Sequence, residues 1–133
     1  MKNGQDVELL LGRILIAALF LPAGIEKIVG WLGIVQYIAH DGGPLPLLAG
    51  IVAVVCEVLV IGLILLGVLV RPLALILAVY TIGTALIAHR YWQSHGVAEI
   101  SAQINFYKNL AIAGGLLALS AAGSGRLALL ADS

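Results

Sequence analysis

Four long apolar segments restrict what this chain can fold into. They cover approximately residues 7–29, 47–70, 72–91 and 104–122, and each supplies most or all of the ~20 residues that a helix needs to cross a bilayer. Only 11% of the residues are charged, against about 25% in soluble domains. The segments lack the alternation of barrel strands, and hydrocarbon offers no partners to an open backbone. The sequence therefore predicts a single all-α domain over residues 1–133, an up-and-down four-helix transmembrane bundle.

The breaks between these segments define a topology. Turn residues occur in HDGGPLP at His40–Pro46, at Arg71-Pro72 and in the Gly-Ser-Gly at 123–125. With four crossings, both termini and the Arg71 turn share one side of the membrane, here called the first side, and the other two connections lie on the second side. The basic residues divide into Lys2, Arg13, Arg71 and Arg126 toward the first side and Lys27, Arg90 and Lys108 toward the second. This excess predicts that both termini are cytoplasmic.

Composition and residue counts exclude several classes of function. The formal net charge is zero, so we expect no nucleic-acid partner, which would need a basic face. The single cysteine, Cys56, excludes an internal disulfide or a CxxC redox pair. The three histidines, His40, His89 and His95, show no recognisable ligand spacing. No metal site is predicted, and a haem held by histidine stays an alternative to a quinone.

Glu57 is the one carboxylate in IVAVVCEVLVIGLIL, residues 51–65, and it falls near the predicted midplane. An unpaired charge there costs roughly 2.5–3.5 kcal/mol on insertion scales. We therefore expect Glu57 to pair with Lys27 or Lys108. Pro22, followed by Gly24, predicts a kink in the first helix that could open a pocket. Glu26 lies on another face of that helix, where it could cap the helix or meet a second chain.

Helical periodicity at ~100° per residue places small and polar residues on common stripes. Small residues allow close helix contact in lipid, so the stripes are expected to point inward. A cluster of Lys27, Glu57, His89 and Lys108 would then form inside the bundle. The stripes are Arg13, Ala17, Phe20, Gly24 and Lys27; Gly50, Ala53 and Glu57; Ala78, Thr81, Ala85 and His89; and Lys108, Ala111, Gly115, Ala118 and Ala122.

Three long blocks follow one another along the chain: GRILIAALFLPAGIEKI at 12–28, CEVLVIGLILLGVLVRPLA at 56–74 and QINFYKNLAIAGGLLAL at 103–119. A Gly-Pro connection, a histidine at the end of the third helix and a late Asp132 after a glycine-rich turn accompany them. In this order they resemble the DoxX family of small four-helix membrane proteins, and the resemblance covers nearly the whole chain. It implies an inner-membrane protein associated with redox chemistry, such as a subunit of a thiosulfate:quinone oxidoreductase or a membrane partner of thiol and superoxide defence enzymes.

Together, the polar residues and the resemblance predict a quinone-linked membrane oxidoreductase subunit. Glu57 and His89 would carry protons, and Lys27, Lys108 and Asn109 would bind the quinone. Electrons would come from a protein redox partner. Two alternatives remain open, a proton or small-solute transporter or channel, and a non-catalytic membrane anchor for a redox partner. The bilayer is the expected surrounding, and a homo-oligomer is the alternative to a protein partner.

Overall fold

The protein is a bundle of five helices, seen in a computed structural model that describes residues 3–40 and 45–132. The helices are α1 (Asn3–Val29), α2 (Trp31–His40), α3 (Pro46–Leu66), α4 (Val70–Ala88) and α5 (Val97–Ala122), with a short 3₁₀ turn at Tyr91–Gln93. No β-strand occurs within these ranges. The segments Asn3–Val29, Pro46–Leu66 and Val70–Gln93 are long and apolar enough to cross a membrane. The predicted all-α membrane bundle is confirmed.

Four of the helices surround an apolar core, and α2 lies outside it. α5 packs antiparallel to α4, since Arg71 contacts Ala121 whereas Thr81 contacts Asn109. α1 packs against α3 and also touches α5. The largest fully buried apolar side chains are Ile61, Ile64, Val70, Leu77 and Leu116. Many large apolar side chains face outward instead, as the surface of a lipid-embedded bundle requires.

The helix boundaries differ from the prediction in three regions. The chain bends at Gly30 and continues as α2, where a connection was expected. The second predicted helix was expected to reach Val70, but α3 ends at Leu66 because Gly67 adopts φ +82° and its N–H bonds to the Ile64 carbonyl at 3.0 Å. The fourth predicted helix begins at Val97, earlier than expected. Lys2 and the predicted turn at 42–44 lie outside the described residues.

A π-helical turn, Val55–Val60, interrupts α3 and contains Glu57. Single π turns within α-helices are rare and often occur at functional sites. Gly24 of α1 rests directly against this turn. A Cβ on Gly24 would lie 2.7 Å from Val58 Cγ2 and 2.8 Å from Glu57 Cβ. Glycine is therefore required for α1 to approach α3 at this point.

The C-terminal residues 123–132, here called the strap, fold back over the first-side end of the bundle. The Leu129 N–H donates to the Leu66 carbonyl at 3.0 Å. The Asp132 carboxylate accepts from the backbone N–H groups of Arg71 and Ser124, both at 3.2 Å. Arg126 Nε donates to Asp6 Oδ2 at 2.9 Å. The predicted placement of both chain ends at one end of the bundle is confirmed by these contacts.

Candidate functional site

Glu57 is the centre of a three-residue polar cluster inside the bundle. Its Oε1 accepts from Lys27 Nζ at 2.9 Å, and its Oε2 accepts from the Tyr80 hydroxyl at 2.6 Å. Glu57 is 5% exposed, so both carboxylate oxygens exchange water for protein donors. The expected pairing of Glu57 with Lys27 is confirmed. The cluster joins α1, α3 and α4 at one level.

A cavity of about 520 Å³ adjoins this cluster. Lys27 and Tyr80 border it, so two of the three cluster members face the open space. Thr84 and His89 of α4 add further polar groups. Most of the wall is apolar, because it comes from residues of α2, α3 and α4, including Ile34, Ile38, Leu48, Ala49, Val52 and Ile87. Apolar walls with a few placed polar groups are typical of small-molecule sites.

Local sequence explains how the helices surround this cavity. The break at Gly30 lets α2 turn away from the axis of α1 and pack along the start of α3. Gly50 of α3 accepts this contact, because a Cβ there would lie 3.0 Å from the Trp31 ring. In α4, the Thr84 hydroxyl donates to the Tyr80 carbonyl at 2.9 Å, a bond that replaces its missing solvent partner. Glycines and hydroxyl residues thus shape the site without adding bulk.

His89 lies at the end of α4 and lines the same cavity as Lys27 and Tyr80. Its backbone N–H donates to the Ala85 carbonyl at 3.2 Å and closes the helix. His89 follows Tyr80 by about two and a half helical turns. The cavity therefore brings His89 to the same space as the Glu57 cluster, and its proton-carrying role stays a prediction.

The expected inward position of Lys108 is wrong. Lys108, Ala111, Gly115, Ala118 and Ala122 are all exposed on the outer face of α5. The buried face carries Ala113, Leu116 and Leu119 instead. The larger leucines fill the space against α4 and α1, and this gain in close contact outweighs the preference for small residues.

Asn109 faces α4 but does not line the cavity. Its side-chain Nδ2 donates to the Thr81 carbonyl at 3.4 Å, so this amide ties α5 to α4. The predicted inward stripe of α4 is confirmed for Ala78, Thr81 and Ala85. Neither Lys108 nor Asn109 lines this cavity, so their positions do not support a ligand-binding role there.

Tyr80 was not among the predicted site residues. Its hydroxyl both completes the hydrogen bonding of Glu57 and borders the cavity. One signal for Tyr80 was available in the sequence, because it lies at the level of the midplane. Tyrosine more often occupies interfacial positions, where its polar tip reaches water. By contrast, Tyr91, Trp92, Phe106 and Tyr107 form an aromatic cluster at the second side, with ring centroids 5.3–6.1 Å apart in the contacting pairs.

Comparison with known proteins assigns the chain to a family. The DoxX family model matches residues 8–90, which contain Lys27, Glu57, Tyr80 and His89. The chain belongs to the DoxX family. It is similar to inner membrane protein YphA of Escherichia coli strain K12, with 46% identity over 125 residues, covering 94% of this chain and 89% of that protein. Inner membrane protein YqjF of the same organism is 38% identical over 128 residues, covering 94% and 91%.

This DoxX protein is thus a multipass inner membrane protein. No solved structure matches it. The residues of the Glu57 cluster and His89 all fall within the matched range, whereas Lys108 and Asn109 lie beyond it. The family match and the cavity geometry therefore select the same part of the chain, α1 to α4.

Proposed function

We propose that this DoxX protein binds a neutral, lipophilic carbonyl compound of the quinone class and serves as the membrane subunit of an oxidoreductase. The observation that supports this proposal is the apolar cavity of about 520 Å³ bordered by Lys27 and Tyr80, both hydrogen-bonded to Glu57. The volume is within the range of small-molecule sites. The position inside the bundle suits a ligand that partitions into lipid.

The hydrogen-bonding capacity of the cluster favours a ligand with an acceptor oxygen. The Lys27 ammonium has three N–H donors, and Glu57 Oε1 takes one of them. The cavity-facing side of the cluster therefore offers donors to a ligand. Because Glu57 already balances the charge of Lys27, an anionic head group would add an uncompensated buried charge. A ketone or quinone oxygen accepts the same hydrogen bonds without that penalty.

Reduction of a quinone to a quinol takes up two electrons and two protons. In our proposal the electrons come from a protein partner, and the protons pass through side chains that border the cavity. Tyr80 links the buried Glu57 carboxylate to the cavity, and His89 occupies a second position on its wall. Glu57 and His89 are the proposed proton carriers. The charge distribution supports the further proposal that both termini are cytoplasmic.

One observation favours transport as a second candidate function. The break between α1 and α2 at Gly30 lies close to Lys27, and interrupted helices beside a polar site are a feature of many transporters. The strap covers the first-side end of the bundle, which opposes passage through it. In liposomes, dissipation of a pH gradient by the purified protein would support transport, and an intact gradient would support the redox subunit.

Direct binding tests the proposed function. The purified protein in lipid nanodiscs is titrated with decylubiquinone, and binding is followed by calorimetry. Lys27→Met and Glu57→Gln each remove a charged member of the hydrogen-bonded cluster, and we expect at least about a tenfold loss of affinity, since hydrogen bonds to charged groups contribute about 1.5–3 kcal/mol. The double variant Lys27→Met/Glu57→Gln leaves no unpaired buried charge, so it should fold. Weak quinone binding by this folded variant would show that the loss of affinity is not caused by unfolding.

Glu8→Gln is the matched control, because Glu8 is an exposed carboxylate near the opposite end of α1. Its affinity should equal that of the unmodified protein. Lys108→Met should also bind normally, because Lys108 lies on the outer face of α5. An unmodified protein that does not bind decylubiquinone, or cluster variants that bind it as tightly as the control, would contradict the proposal.

A further inference from the structure

Two opposite charges are exposed on neighbouring helices of the bundle. Glu26 of α1 and Lys108 of α5 are both exposed, and within residues 3–40 and 45–132 neither side chain has a hydrogen-bond or ion-pair partner. α1 and α5 touch each other in the bundle. The two charges thus belong to adjacent elements of one molecule and remain available to a second.

Contacts inside the bundle place both charges at one depth. Lys27 contacts Glu57 at 2.9 Å, which in turn contacts Tyr80 at 2.6 Å. The residue after Tyr80, Thr81, accepts from Asn109. Glu26 precedes Lys27 and Lys108 precedes Asn109, so both charges lie at the level of Glu57.

Glu57 is near the middle of the membrane-spanning segment α3, and Lys108 lies from this level toward the second-side aromatic cluster that includes its neighbour Tyr107. Charged side chains at such depth normally face the bundle interior, a water-filled cavity or a charge of opposite sign. Glu26 and Lys108 face outward instead. Their exposure at this level calls for a partner outside the single chain.

Small residues lie on one side of each exposed charge, whereas Ile104 and Tyr107 flank the other side of Lys108. Glu26 borders a groove between α1 and α2 that also contains Ala23, Gly30 and Gly33. On α5, the exposed face next to Lys108 continues through Ala111 and Gly115. Small residues let helix backbones approach closely in lipid, where contact distance and polar pairs drive association. The two faces therefore carry opposite charges, each next to small residues that permit close approach.

We propose that two copies of this chain form a twofold dimer in which Glu26 of each copy pairs with Lys108 of the other. Copies in one membrane share the same orientation, so the twofold axis runs along the membrane normal. A twofold axis repeats every contact, and the equal depth of Glu26 and Lys108 allows both ion pairs to form together. Because α1 and α5 run in opposite directions, the α1 of one copy meets the α5 of the other antiparallel. The proposal does not depend on the ligand of the cavity.

Charge reversal tests this interface. The full-length protein is labelled with donor or acceptor fluorophores, reconstituted in phosphatidylcholine vesicles, and diluted with lipid while energy transfer is measured. Glu26→Lys and Lys108→Glu should each weaken dimerisation by one to two orders of magnitude, since polar interhelical contacts contribute roughly 0.6–1.7 kcal/mol each and two are lost. The double variant should restore energy transfer to the unmodified level.

Neutral variants and a distant control complete the test. Glu26→Gln and Lys108→Gln avoid introducing a new charge and should weaken the dimer in the same direction, with an unchanged circular dichroism spectrum. Glu99→Gln, an exposed carboxylate in the first turn of α5, should leave energy transfer unchanged. Absence of energy transfer in the unmodified protein, or transfer insensitive to Lys108→Glu, would overturn the proposal. A monomer that is stabilised by anionic lipid only when Lys108 is present would also overturn it and assign Lys108 to a lipid phosphate.

Discussion

The two ends of the bundle use charged residues in opposite ways. At the first side, the guanidinium groups of Arg13 and Arg71 donate to backbone carbonyls, and the carboxylate of Asp132 accepts from backbone N–H groups. In the second-side half, Lys27 and Tyr80 donate to the Glu57 side chain and border a cavity. Backbone partners close helix ends and fix the fold. Side-chain donors that border the cavity, such as the Lys27 ammonium, can also donate hydrogen bonds to a ligand.

The first-side arginines act as caps for helix C-termini. Arg13 is fully buried and donates to the carbonyls of Ile64 and Leu65 at the end of α3, and to Leu127 of the strap. Arg71 donates in the same way to the last carbonyls of α5, from Ser120 to Ala122. These carbonyls have no partner within their own helix, and they carry the negative end of the helix dipole. Each arginine therefore donates hydrogen bonds to the terminal carbonyls and also places a positive charge at the negative end of the helix dipole.

Arg13→Met should give the largest loss of stability. The substitution leaves the Leu65 carbonyl without its side-chain donor, leaves the Ile64 carbonyl with only the Gly67 N–H, and removes the contact to Leu127. We expect the free energy of unfolding to fall by about 3 kcal/mol, because hydrogen bonds to charged groups contribute about 1.5–3 kcal/mol. Reversible unfolding in mixed detergent micelles measures this change. Affinity of the folded variant for decylubiquinone should not change.

Arg126→Gln is the control for this prediction. The Arg126 side chain is 60% exposed and pairs at 2.9 Å with the buried Asp6 carboxylate, which keeps the Arg126 backbone N–H as a donor at 3.0 Å in the variant, so the loss should be about 1 kcal/mol. An Arg13→Met variant that keeps its stability but no longer binds decylubiquinone would contradict the prediction, because Arg13 would then serve ligand binding rather than stability.

Two glycines at close helix contacts provide a second test of the comparison. At Gly67, φ is +82° and a Cβ would lie 2.3 Å from Ala128 Cβ in the strap. Gly67→Ala should lower the free energy of unfolding by about 2 kcal/mol through backbone strain and displacement of the strap.

At Gly24, the added Cβ meets the π turn, so Gly24→Ala should separate α1 from α3, lengthen the Lys27–Glu57 contact and weaken quinone binding by about tenfold.

The two glycine variants are measured by the same two methods, detergent unfolding and quinone titration. Gly62→Ala serves as the control, because a Cβ there meets no atom within 4 Å. It should change neither property substantially. The comparison fails if Gly67→Ala weakens binding more than Gly24→Ala does.

The sequence predicts the helical membrane fold and the Lys27–Glu57 pair because both follow from strong constraints. Long apolar segments must be helical in lipid, and a midplane carboxylate needs a partner. Lys108 was placed wrongly because α5 carries small residues on one face and leucines on another, and periodicity cannot decide which face packs. The π turn that contains Glu57 packs against Gly24, which is distant in sequence. The contact of Tyr80 with Glu57 and the packing of α2 against α3 are also tertiary contacts, which local sequence patterns do not show.

Tyr80→Phe should give the smallest effect and the sharpest separation of binding from stability. The variant keeps the ring and removes the hydroxyl that donates to Glu57 Oε2 at 2.6 Å. Glu57 keeps its bond to Lys27, so unfolding should become easier by only about 1 kcal/mol. The hydroxyl donates its one proton to Glu57, so its loss affects the ligand through the position of the Lys27–Glu57 pair, and affinity for decylubiquinone should fall about three- to tenfold. Thr84→Val removes a hydroxyl that also borders the cavity but donates to the Tyr80 carbonyl, and its affinity should change less. Equal losses in the two variants would mean that general polarity of the wall, rather than the Glu57 cluster, determines binding.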